Sequence, residues 1–465
     1  MSPESRALSP DFDPRHENAI PSEPKRGRVP ILRRALAALR QHVRDPVYAN
    51  GYALVANAGL SALLGFLFWI VAARRFTEDA LGVGAAVVSA ATLAALIGKA
   101  GFDAAIIRYG PALSRAHLRR LLARAGAATF ALTAFVSLVV LLLAVEGVAS
   151  LAALRAPIAA LGFVLLAVGT GTAWVLDAYF VSEQAGVLVL ARNVAFNALK
   201  LVAPFFVAAS LGETAVPLAW GLGLAASLAF GLAVTFPRLA RHPDEGEPAP
   251  ASREMLAYAA RNYALNLSEF LPGLVFPLLV IGALGPAANA RFYLAWTVAT
   301  VALQASKAVT QSSFAQLVRP GPAAPALRKA LLLSGLVLGP MALGMFFLGG
   351  FALGIFGDHY AQGAELLRML ALSVAPVAIA NVYLSYLKAR RPGWELTLLP
   401  ALTMAALLVV TPLALAKLGV LGLGATWLAV QLLAGAWATV RLVPLLRRKP
   451  LDNPRTALRG HPHEG

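Results

Sequence analysis

Three groups of polar side chains recur at helical spacing inside stretches of sequence that are otherwise apolar. Each group has the spacing i, i+4, i+7 and i+11, which places its four members on one face of a helix. The groups are Asn193, Asn197, Lys200 and Pro204; Asn262, Asn266, Glu269 and Gly273; and Thr300, Gln304, Lys307 and Gln311. Polar groups are costly among apolar ones, so such faces are candidates to line a water-filled cavity that accepts a sugar chain. Amides also hydrogen-bond between packed helices, and that alternative stays open.

Lys200 lies near the middle of its apolar stretch, where its ammonium reaches neither end by extending along the helix. A role in a cavity is therefore the favoured interpretation. An ion pair with Glu269 or Asp177 is the alternative, because a buried cation needs either a cavity or a partner. Glu269 itself either carries a coupling proton or neutralises a lysine.

Lys99 and Lys307 lie nearer the ends of their apolar stretches. There the lysine side chain can reach along the helix to the membrane surface, which is the alternative to a role in binding. If they face a cavity, two ammonium groups at its inner mouth would attract a pyrophosphate. Arg261, at the same level, adds a guanidinium that can hold phosphate through two hydrogen bonds. The predicted substrate-binding residues are Lys200, Lys307, Lys99, Asn197, Gln304 and Arg261, and the predicted coupling residue is Glu269.

The sequence offers no apparatus for catalysis. It has no cysteine, which excludes thiolate chemistry and Cys-ligated metals. All seven histidines lie in predicted tails or loops, and neither a metal-ligating cluster nor a Gly-rich phosphate loop is visible. We therefore expect no catalytic residue, metal or bound cofactor. An enzyme is therefore not expected, and any driving energy would come from a gradient of H⁺ or Na⁺ or from consumption of a product.

The polar groups must be positioned by membrane-spanning helices. The chain is 58% hydrophobic and 14% charged with a mean hydropathy of +0.69, which is far from the composition of a soluble domain. Its apolar runs are about 20 residues long, the length that crosses a bilayer as a helix. We predict an all-α polytopic membrane protein with spans at 52–73, 80–101, 121–145, 158–178, 187–211, 216–236, 256–282, 290–314, 330–351, 366–387, 396–416 and 421–443.

Basic residues collect on alternate loops and at both ends of the chain, as the positive-inside rule requires of cytoplasmic segments. Arg33 and Arg34 precede the first predicted span, and Arg447 and Arg448 follow the last. Both termini are therefore predicted to be cytoplasmic, in a bacterial inner membrane, and the basic excess does not indicate nucleic acid. The predicted domains are a disordered basic tail (1–50), a six-helix lobe (51–237), a cytoplasmic linker (238–254), a second six-helix lobe (255–445) and a second tail (446–465).

A short internal repeat supports two lobes. Residues 50–54 (NGYAL) open the first span, and residues 261–265 (RNYAL) lie in the first span of the second half. One span later, Lys99 and Lys307 fall at a similar depth in each half. A repeat of an even number of spans implies lobes related by an axis along the membrane normal, with a cavity between them.

Several short motifs resemble those of Wzx-like oligosaccharide flippases in the multidrug/oligosaccharidyl-lipid/polysaccharide exporter (MOP) superfamily. They are residues 65–76 (GFLFWIVAARRF), 80–82 (ALG), 101–109 (GFDAAIIRY), 356–360 (FGDHY) and 422–426 (GLGAT). The resemblance implies a MATE-like fold and alternating access. It also implies that a polyprenyl-pyrophosphate-linked oligosaccharide is moved from the inner to the outer leaflet, for surface or exopolysaccharide and lipopolysaccharide assembly. The implied partners are this lipid-linked oligosaccharide, membrane lipids and a glycan polymerase or other assembly proteins.

Three rival functions have recognisable requirements. A MATE-type exporter of cationic drugs would place a carboxylate in the first span, which has none, although Glu269 keeps this alternative open. A lipid II flippase would be favoured by additional C-terminal spans, which are not visible. A glycan polymerase or ligase would need a substantial outer loop with catalytic basic residues, and every predicted outer loop is short.

Overall fold

The structure is a computed structural model that describes residues 46–147, 149–248, 252–390 and 393–447. The predicted tails fall outside these residues, apart from the positions nearest the bundle. Within the described residues the chain is helical and contains no strand. From Asn50 onward the chain forms one compact unit.

Twelve α-helices make up the bundle in the described part of the chain. They are α1 (Pro46–Arg75), α2 (Glu78–Gly98), α3 (Phe102–Tyr109), α4 (Arg115–Gly147), α5 (Pro157–Ser182), α6 (Gly186–Val202), α7 (Ala215–Arg241), α8 (Ser252–Leu284), α9 (Pro286–Val318), α10 (Ala323–Gly354), α11 (Ala364–Arg390) and α12 (Trp394–Arg447). Helix α12 is broken at Gly419, and α3 is too short to cross a membrane. Each predicted span matches one long helix or one half of α12, which confirms the predicted fold class, but the fifth span (187–211) was predicted too long, because α6 ends at Val202.

Ten helices in the described residues are long and apolar enough to cross a membrane. Helix α9 is not among these ten, although it is 33 residues long. Its threonines, glutamines, serines and lysine lower its hydropathy. A spanning helix with so many polar groups must cover them with protein or with a cavity.

The helices pack into two groups that follow the predicted halves. Helices α2, α4, α5, α6 and α7 pack on one another, as do α8 to α12. In each half the fifth and sixth spans are joined through a Leu-Gly pair whose glycine has a positive φ, +54° at Gly212 and +61° at Gly419. With ψ at −125° and −149° these positions suit glycine alone. The two halves therefore share a turn that the sequence repeat did not reveal.

Helix α1 packs more loosely than the rest. Its first two-thirds expose large apolar side chains, including Val55 (72% exposed) and Leu63 (54%), whereas Phe68 and Trp69 near its end are buried. It begins six residues before the predicted start of the first span, within the segment predicted to be a tail. Its N-terminal part is held to α6 by the Asn50 side chain, which accepts a hydrogen bond from the Gly186 amide at 2.6 Å.

The segment between the halves is shorter than predicted and is fixed to the first half. Helix α7 extends to Arg241, so the irregular connection begins at His242. The buried His242 ring contacts the Leu113 carbonyl at 2.9 Å and the Glu183 carboxylate at 3.3 Å. The Arg115 amide donates to the carbonyl of Pro243. The described part of the connection, up to residue 248, is thus a fixed strap.

The two halves meet in a tight seam at the end of the bundle where α1 ends and α9 begins, here called the distal end. The first turns of α2 and α9 cross at Gly82 and Pro286. A methyl group on Gly82 would lie 1.9 Å from the Pro286 carbonyl oxygen, so only glycine permits this approach. The buried Asn289 amide donates to the Gly82 carbonyl at 2.7 Å.

Charged side chains extend the distal seam. Arg291 of α9 forms an ion pair with Glu78 of α2 at 2.9 Å and donates to Gln362 at 2.6 Å. Arg74 of α1 donates twice to the Ile355 carbonyl, at 2.9 and 2.7 Å. The distal end of the bundle is therefore closed by contacts between the halves.

Candidate functional site

A cavity of about 890 Å³ lies mainly in the second half of the bundle. Helices α8, α9, α11 and α12 form most of its wall, and α1 and Ser89 of α2 complete it. It runs from an aromatic cluster in the bundle interior to Phe314, Lys388 and Leu396, near the end of the bundle that carries Asn50 and Arg447. We call this end the terminal end. Because the distal end is closed, the cavity is accessible from the terminal end.

The polar face of α9 lies on this cavity. Thr300, Gln304, Lys307 and Gln311, the third predicted group, all line it. Their spacing keeps them on one side of the helix, and the apolar side of α9 packs on α11 and α10. The cavity explains why α9 is too polar to be counted with the apolar spans. Binding of a substrate by Gln304 and Lys307 remains a prediction.

The second predicted group is only partly on the cavity. Glu269 and Gly273 of α8 line it. Asn262 does not, and its amide donates to the Tyr258 carbonyl one turn earlier in the same helix, at 2.9 Å. The side chains of Arg261 and Asn266 lie outside the described part of the structure.

Three charged residues line the cavity in the described part of the chain. Glu269 of α8 and Lys307 of α9 form an ion pair across it, and the Lys307 ammonium also lies 5.0 Å from the centre of the Phe270 ring. Both charged groups are partly exposed, with 39% and 31% of their side-chain surface accessible. Lys388 of α11 stands at the mouth. With one carboxylate against two ammonium groups, the cavity is net positive.

Lys200 lies elsewhere, buried in the first half of the bundle and not on the cavity wall. Its ammonium faces the rings of Phe68, Phe196 and Trp220, with distances of 5.1, 4.7 and 3.9 Å to the ring centres. The carboxylates predicted as alternative partners are both taken, since Glu269 pairs with Lys307 and Asp177 pairs with Arg192. In the described residues the buried Lys200 amine therefore meets aromatic rings and no carboxylate.

Replacing Lys200 with methionine is expected to leave thermal stability unchanged or to raise it. The ring contacts contribute about 2 kcal/mol at best, whereas burying an ammonium without a carboxylate costs several kcal/mol. Methionine keeps the volume and removes the charge. The measurement is thermal unfolding of the detergent-solubilised protein, with the exposed Lys417→Met as control. A clear drop in Tm for Lys200→Met alone would show that the rings stabilise the cation more than burial costs.

Neither Asn197 nor Lys99 reaches the cavity. The Asn197 side chain is buried and donates to the Asn193 carbonyl at 2.8 Å, within its own helix. Lys99 caps the C-terminal end of α2, pairs with Asp103 at 2.7 Å and lies 5.2 Å from the centre of the Trp174 ring. The expected pair of ammonium groups from Lys99 and Lys307 is thus not formed, because the end of α2 lies outside the cavity wall.

The sequence analysis missed a buried ion pair in the first half. Arg192 of α6 is 2% exposed and holds Asp177 of α5 through two hydrogen bonds, at 2.9 and 2.5 Å. It also donates to Ser227 at 2.9 Å and to Asn193 at 2.8 Å. The sequence did carry a signal for this pair. Asp177 lies inside a predicted span, and a carboxylate there requires a buried cation as its partner.

Lys388 and the aromatic residues of the cavity were also missed. Lys388 lies one residue beyond the predicted span 366–387, but α11 continues to Arg390 and brings it to the cavity mouth. Aromatic side chains carry no helical-spacing signal that separates a cavity wall from a packed core. Only the arrangement of α1, α9 and α12 shows that Trp69, Trp296 and Trp427 share the cavity.

No protein-family model matches the sequence, and no curated protein matches it. Solved structures do match the fold. A multidrug resistance MATE transporter of the MOP superfamily in an inward-facing conformation superposes with a TM-score of 0.58 over 84% of this chain and 98% of its own, at 14% identity. The chain has the MATE transporter fold.

Two further MATE-fold structures agree. A point mutant of the Vibrio cholerae MATE transporter VcmN gives a TM-score of 0.53 at 17% identity over 87% of this chain and 97% of its own. A MOP superfamily transporter from Pyrococcus furiosus, reported for the reverse polarity of its binding pocket, gives a TM-score of 0.53 at 14% identity. The match covers 88% of this chain and 98% of its own. Identities this low show the fold alone, a multi-pass membrane transporter fold.

Proposed function

We propose that the protein moves a polyprenyl-pyrophosphate-linked oligosaccharide from the inner to the outer leaflet of a bacterial cytoplasmic membrane by alternating access. The observation that carries the proposal is the charge of the cavity. Its one carboxylate among the described residues, Glu269, is already paired with Lys307, and Lys388 adds a second ammonium at the mouth. A net positive chamber favours an anionic cargo, and two ammonium groups suit a pyrophosphate.

The rest of the lining suits a glycan. Hydroxyl and amide side chains line the wall between the charged residues, among them Thr300, Gln304, Asn381 and Gln431. Such groups offer hydrogen bonds in place of the water that a polar headgroup loses. Without them, each polar group left unpaired in a bilayer costs several kcal/mol. The volume of about 890 Å³ lies at the upper end of the range for ligand pockets, about 300–1,000 Å³.

Helix α1 supplies a boundary between cavity and lipid. Ser61 and Gly65 line the cavity, while Val55 and Leu63 on the same helix are exposed apolar residues. A loosely packed helix of this kind lets a lipid-linked cargo place its headgroup inside while its polyprenyl chain stays in the bilayer. This arrangement favours an amphipathic lipid over a wholly soluble anion.

A MATE-type exporter of cationic drugs is the second candidate, because two of the structures above are multidrug or MATE transporters. Helix α1 carries no carboxylate in its described residues, and Glu269, the one carboxylate that the described residues place on the cavity, is neutralised by Lys307. The Pyrococcus furiosus structure, reported with a reversed pocket polarity that suggests a different function, gives a precedent for the fold with another cargo. A lipid II flippase differs from the proposal only in the glycan.

Lys307→Gln is expected to slow flipping of the anionic cargo about tenfold or more, since a charge-assisted hydrogen bond contributes about 1.5–3 kcal/mol. The measurement uses proteoliposomes containing a polyprenyl-pyrophosphate oligosaccharide with a fluorophore on the sugar. A membrane-impermeant reductant bleaches only the fluorophores in the outer leaflet. Lys329→Gln, an exposed lysine outside the cavity, is the matched control.

Glu269→Gln separates the two candidate functions. It frees Lys307 from its partner, so it is expected to keep or strengthen binding of an anionic cargo. In a cation exporter the same change removes the one cavity carboxylate and stops export of a cationic dye from the same proteoliposomes. Dye export by the wild type, lost in Glu269→Gln, together with no flipping of the glycolipid, would overturn the proposal. Dependence of flipping on an imposed H⁺ or Na⁺ gradient tests the coupling role of Glu269.

The proposal includes the cellular setting that the sequence predicts. Both termini lie in the cytoplasm, so the terminal end of the cavity receives the cargo from the inner leaflet. The partners are the lipid-linked oligosaccharide, membrane lipids and a glycan polymerase or other assembly proteins. Loss of surface glycan after gene deletion, with accumulation of the lipid-linked unit, is the expected cellular result.

A further inference from the structure

The closed inner end of the cavity is built from aromatic side chains. Trp69 of α1, Tyr293 and Trp296 of α9, and Trp427 of α12 all line it, and we call these four residues the aromatic floor. The ring centres of Trp69 and Tyr293 are 4.6 Å apart, and those of Trp296 and Trp427 are 4.9 Å apart. Tryptophan in membrane proteins is enriched at the membrane surface. Trp296, however, lies about ten residues, or about 15 Å, inside α9.

The floor is held rigid by the protein behind it. Trp296 stacks on Phe292 at 24° with 6.0 Å between the ring centres. The indole N–H of Trp427 donates to Ser373 at 2.8 Å. The indole N–H of Trp296, by contrast, has no acceptor in the described part of the chain, and it faces Gly273, where a methyl group would lie 3.3 Å away. Trp296 is 7% exposed, so what it presents to the cavity is a narrow, fixed ring edge beside Gly273, which also lines the cavity.

Indole rings and a free N–H match the chemistry of a sugar. The C–H face of a pyranose packs on an aromatic ring, and its hydroxyl groups accept from a nearby N–H donor. A few such polar groups among aromatic ones are the usual composition of a selective binding site. A pyrophosphate, by contrast, gains little from this floor, because no cation lines the cavity at this depth among the described residues.

The cationic residues lie at a fixed distance from the floor. Lys307 follows Trp296 by about eleven residues in α9, a rise of about 16 Å along the helix. Thr300 and Gln304 occupy the wall between them, and Lys388 lies farther out at the mouth. In the proposed cargo the pyrophosphate lies between the lipid tail and the sugars. With the pyrophosphate at Lys307 and the tail outside the mouth, the sugars must point toward the floor.

We propose that the aromatic floor is a sugar-binding subsite, so that the cargo is carried sugar first, with its pyrophosphate at Lys307. The inference rests on the proposed function and adds an orientation and a length requirement to it. A glycan of several sugars reaches the floor, whereas a single sugar beside the pyrophosphate stops short of it. The residues that recognise the far end of the glycan are therefore those of the floor.

The test compares two cargoes in the same proteoliposome assay, a polyprenyl-pyrophosphate tetrasaccharide and the corresponding monosaccharide, each labelled on the lipid-proximal sugar. Trp296→Leu is expected to slow flipping of the tetrasaccharide about tenfold, since it removes the indole edge and its N–H donor from the floor, and to leave the monosaccharide rate unchanged. Trp296→Phe, which keeps a ring, is expected to restore part of the tetrasaccharide rate. The unchanged monosaccharide rate shows in the same sample that the variant is folded.

The outcomes separate the inference from the function on which it rests. Equal rates for wild type and Trp296→Leu on the tetrasaccharide would overturn the subsite and leave the flippase function standing. An equal loss on both cargoes would also overturn the subsite. The floor would then support the packing of the protein and would not bind the sugars farthest from the lipid. A wild type that flips neither cargo would overturn the proposed function itself.

Discussion

Replacing Gly82 with alanine is expected to stop transport while the protein remains folded. The first turns of α2 and α9 touch through their backbones at this point, and a methyl group would lie 1.9 Å from the Pro286 carbonyl oxygen and 2.6 Å from its carbon. A backbone carbonyl cannot swing aside as a side chain does. The seam must therefore open, and the buried hydrogen bond from Asn289 to the Gly82 carbonyl is lost with it.

The size of the effect follows from the cost of the clash. Overpacking of this kind costs up to about 3 kcal/mol, which corresponds to a roughly hundredfold shift of the closed-to-open equilibrium of the distal seam. In the proposed alternating-access cycle that seam must close once per turnover, so transport is expected to fall by up to a similar factor. Gly126→Ala in α4, where a methyl group meets no atom within 4 Å, is the matched control.

Accessibility from each side shows where the cavity opens. The chain has no cysteine, so a single cysteine in place of Gln304 on the cavity wall reports access without further changes. A membrane-impermeant maleimide is expected to label it from the terminal end in the otherwise unchanged protein. With Gly82→Ala, labelling from the distal end is expected to appear. Unchanged labelling and transport in that variant would contradict a role for the seam in closing the bundle.

The twelve spans were predictable because each depends on a local property, an apolar run of about 20 residues. The polar face of α9 was predictable for a similar reason, since its spacing fixes which side chains share a side of the helix. The spacing does not show what that side meets. The same pattern in α6 places Lys200 among Phe68, Phe196 and Trp220 instead of on the cavity.

The ion pairs show the same limit. Sequence analysis recognised Lys200, Glu269 and Asp177 as charges that needed partners, but it could not choose among them. The choice depends on which helices are neighbours. Helix α8 packs on α9, so Glu269 meets Lys307, whereas α5 and α6 together bring Asp177 to Arg192. Even for helices that follow one another in the chain, the residue pattern does not show which sides face each other.

Arg192→Ala is expected to have the largest effect on stability of any single change outside the cavity. Arg192 is 2% exposed and forms two hydrogen bonds with Asp177 and one each with Ser227 and Asn193. Removing one partner of a buried ion pair leaves the other charge uncompensated, at a cost of about 3–5 kcal/mol. Thermal unfolding in detergent and the yield of folded protein measure the loss. Arg115→Ala, which removes an exposed pair with Asp244 and a hydrogen bond to the His242 carbonyl, is expected to cost about 2 kcal/mol at most.

A double variant distinguishes the ion pair from simple loss of packing. Arg192→Met with Asp177→Leu removes both charges and keeps apolar bulk, so it is expected to be more stable than Arg192→Met alone. If the two changes instead add their separate costs, the charges are not coupled and the contact between α5 and α6 depends on packing. Coupling would show that the first half of the bundle is held by a charge pair sealed away from the cavity. Among the described residues, the charges left to meet the proposed cargo are those on the cavity wall, Glu269, Lys307 and Lys388.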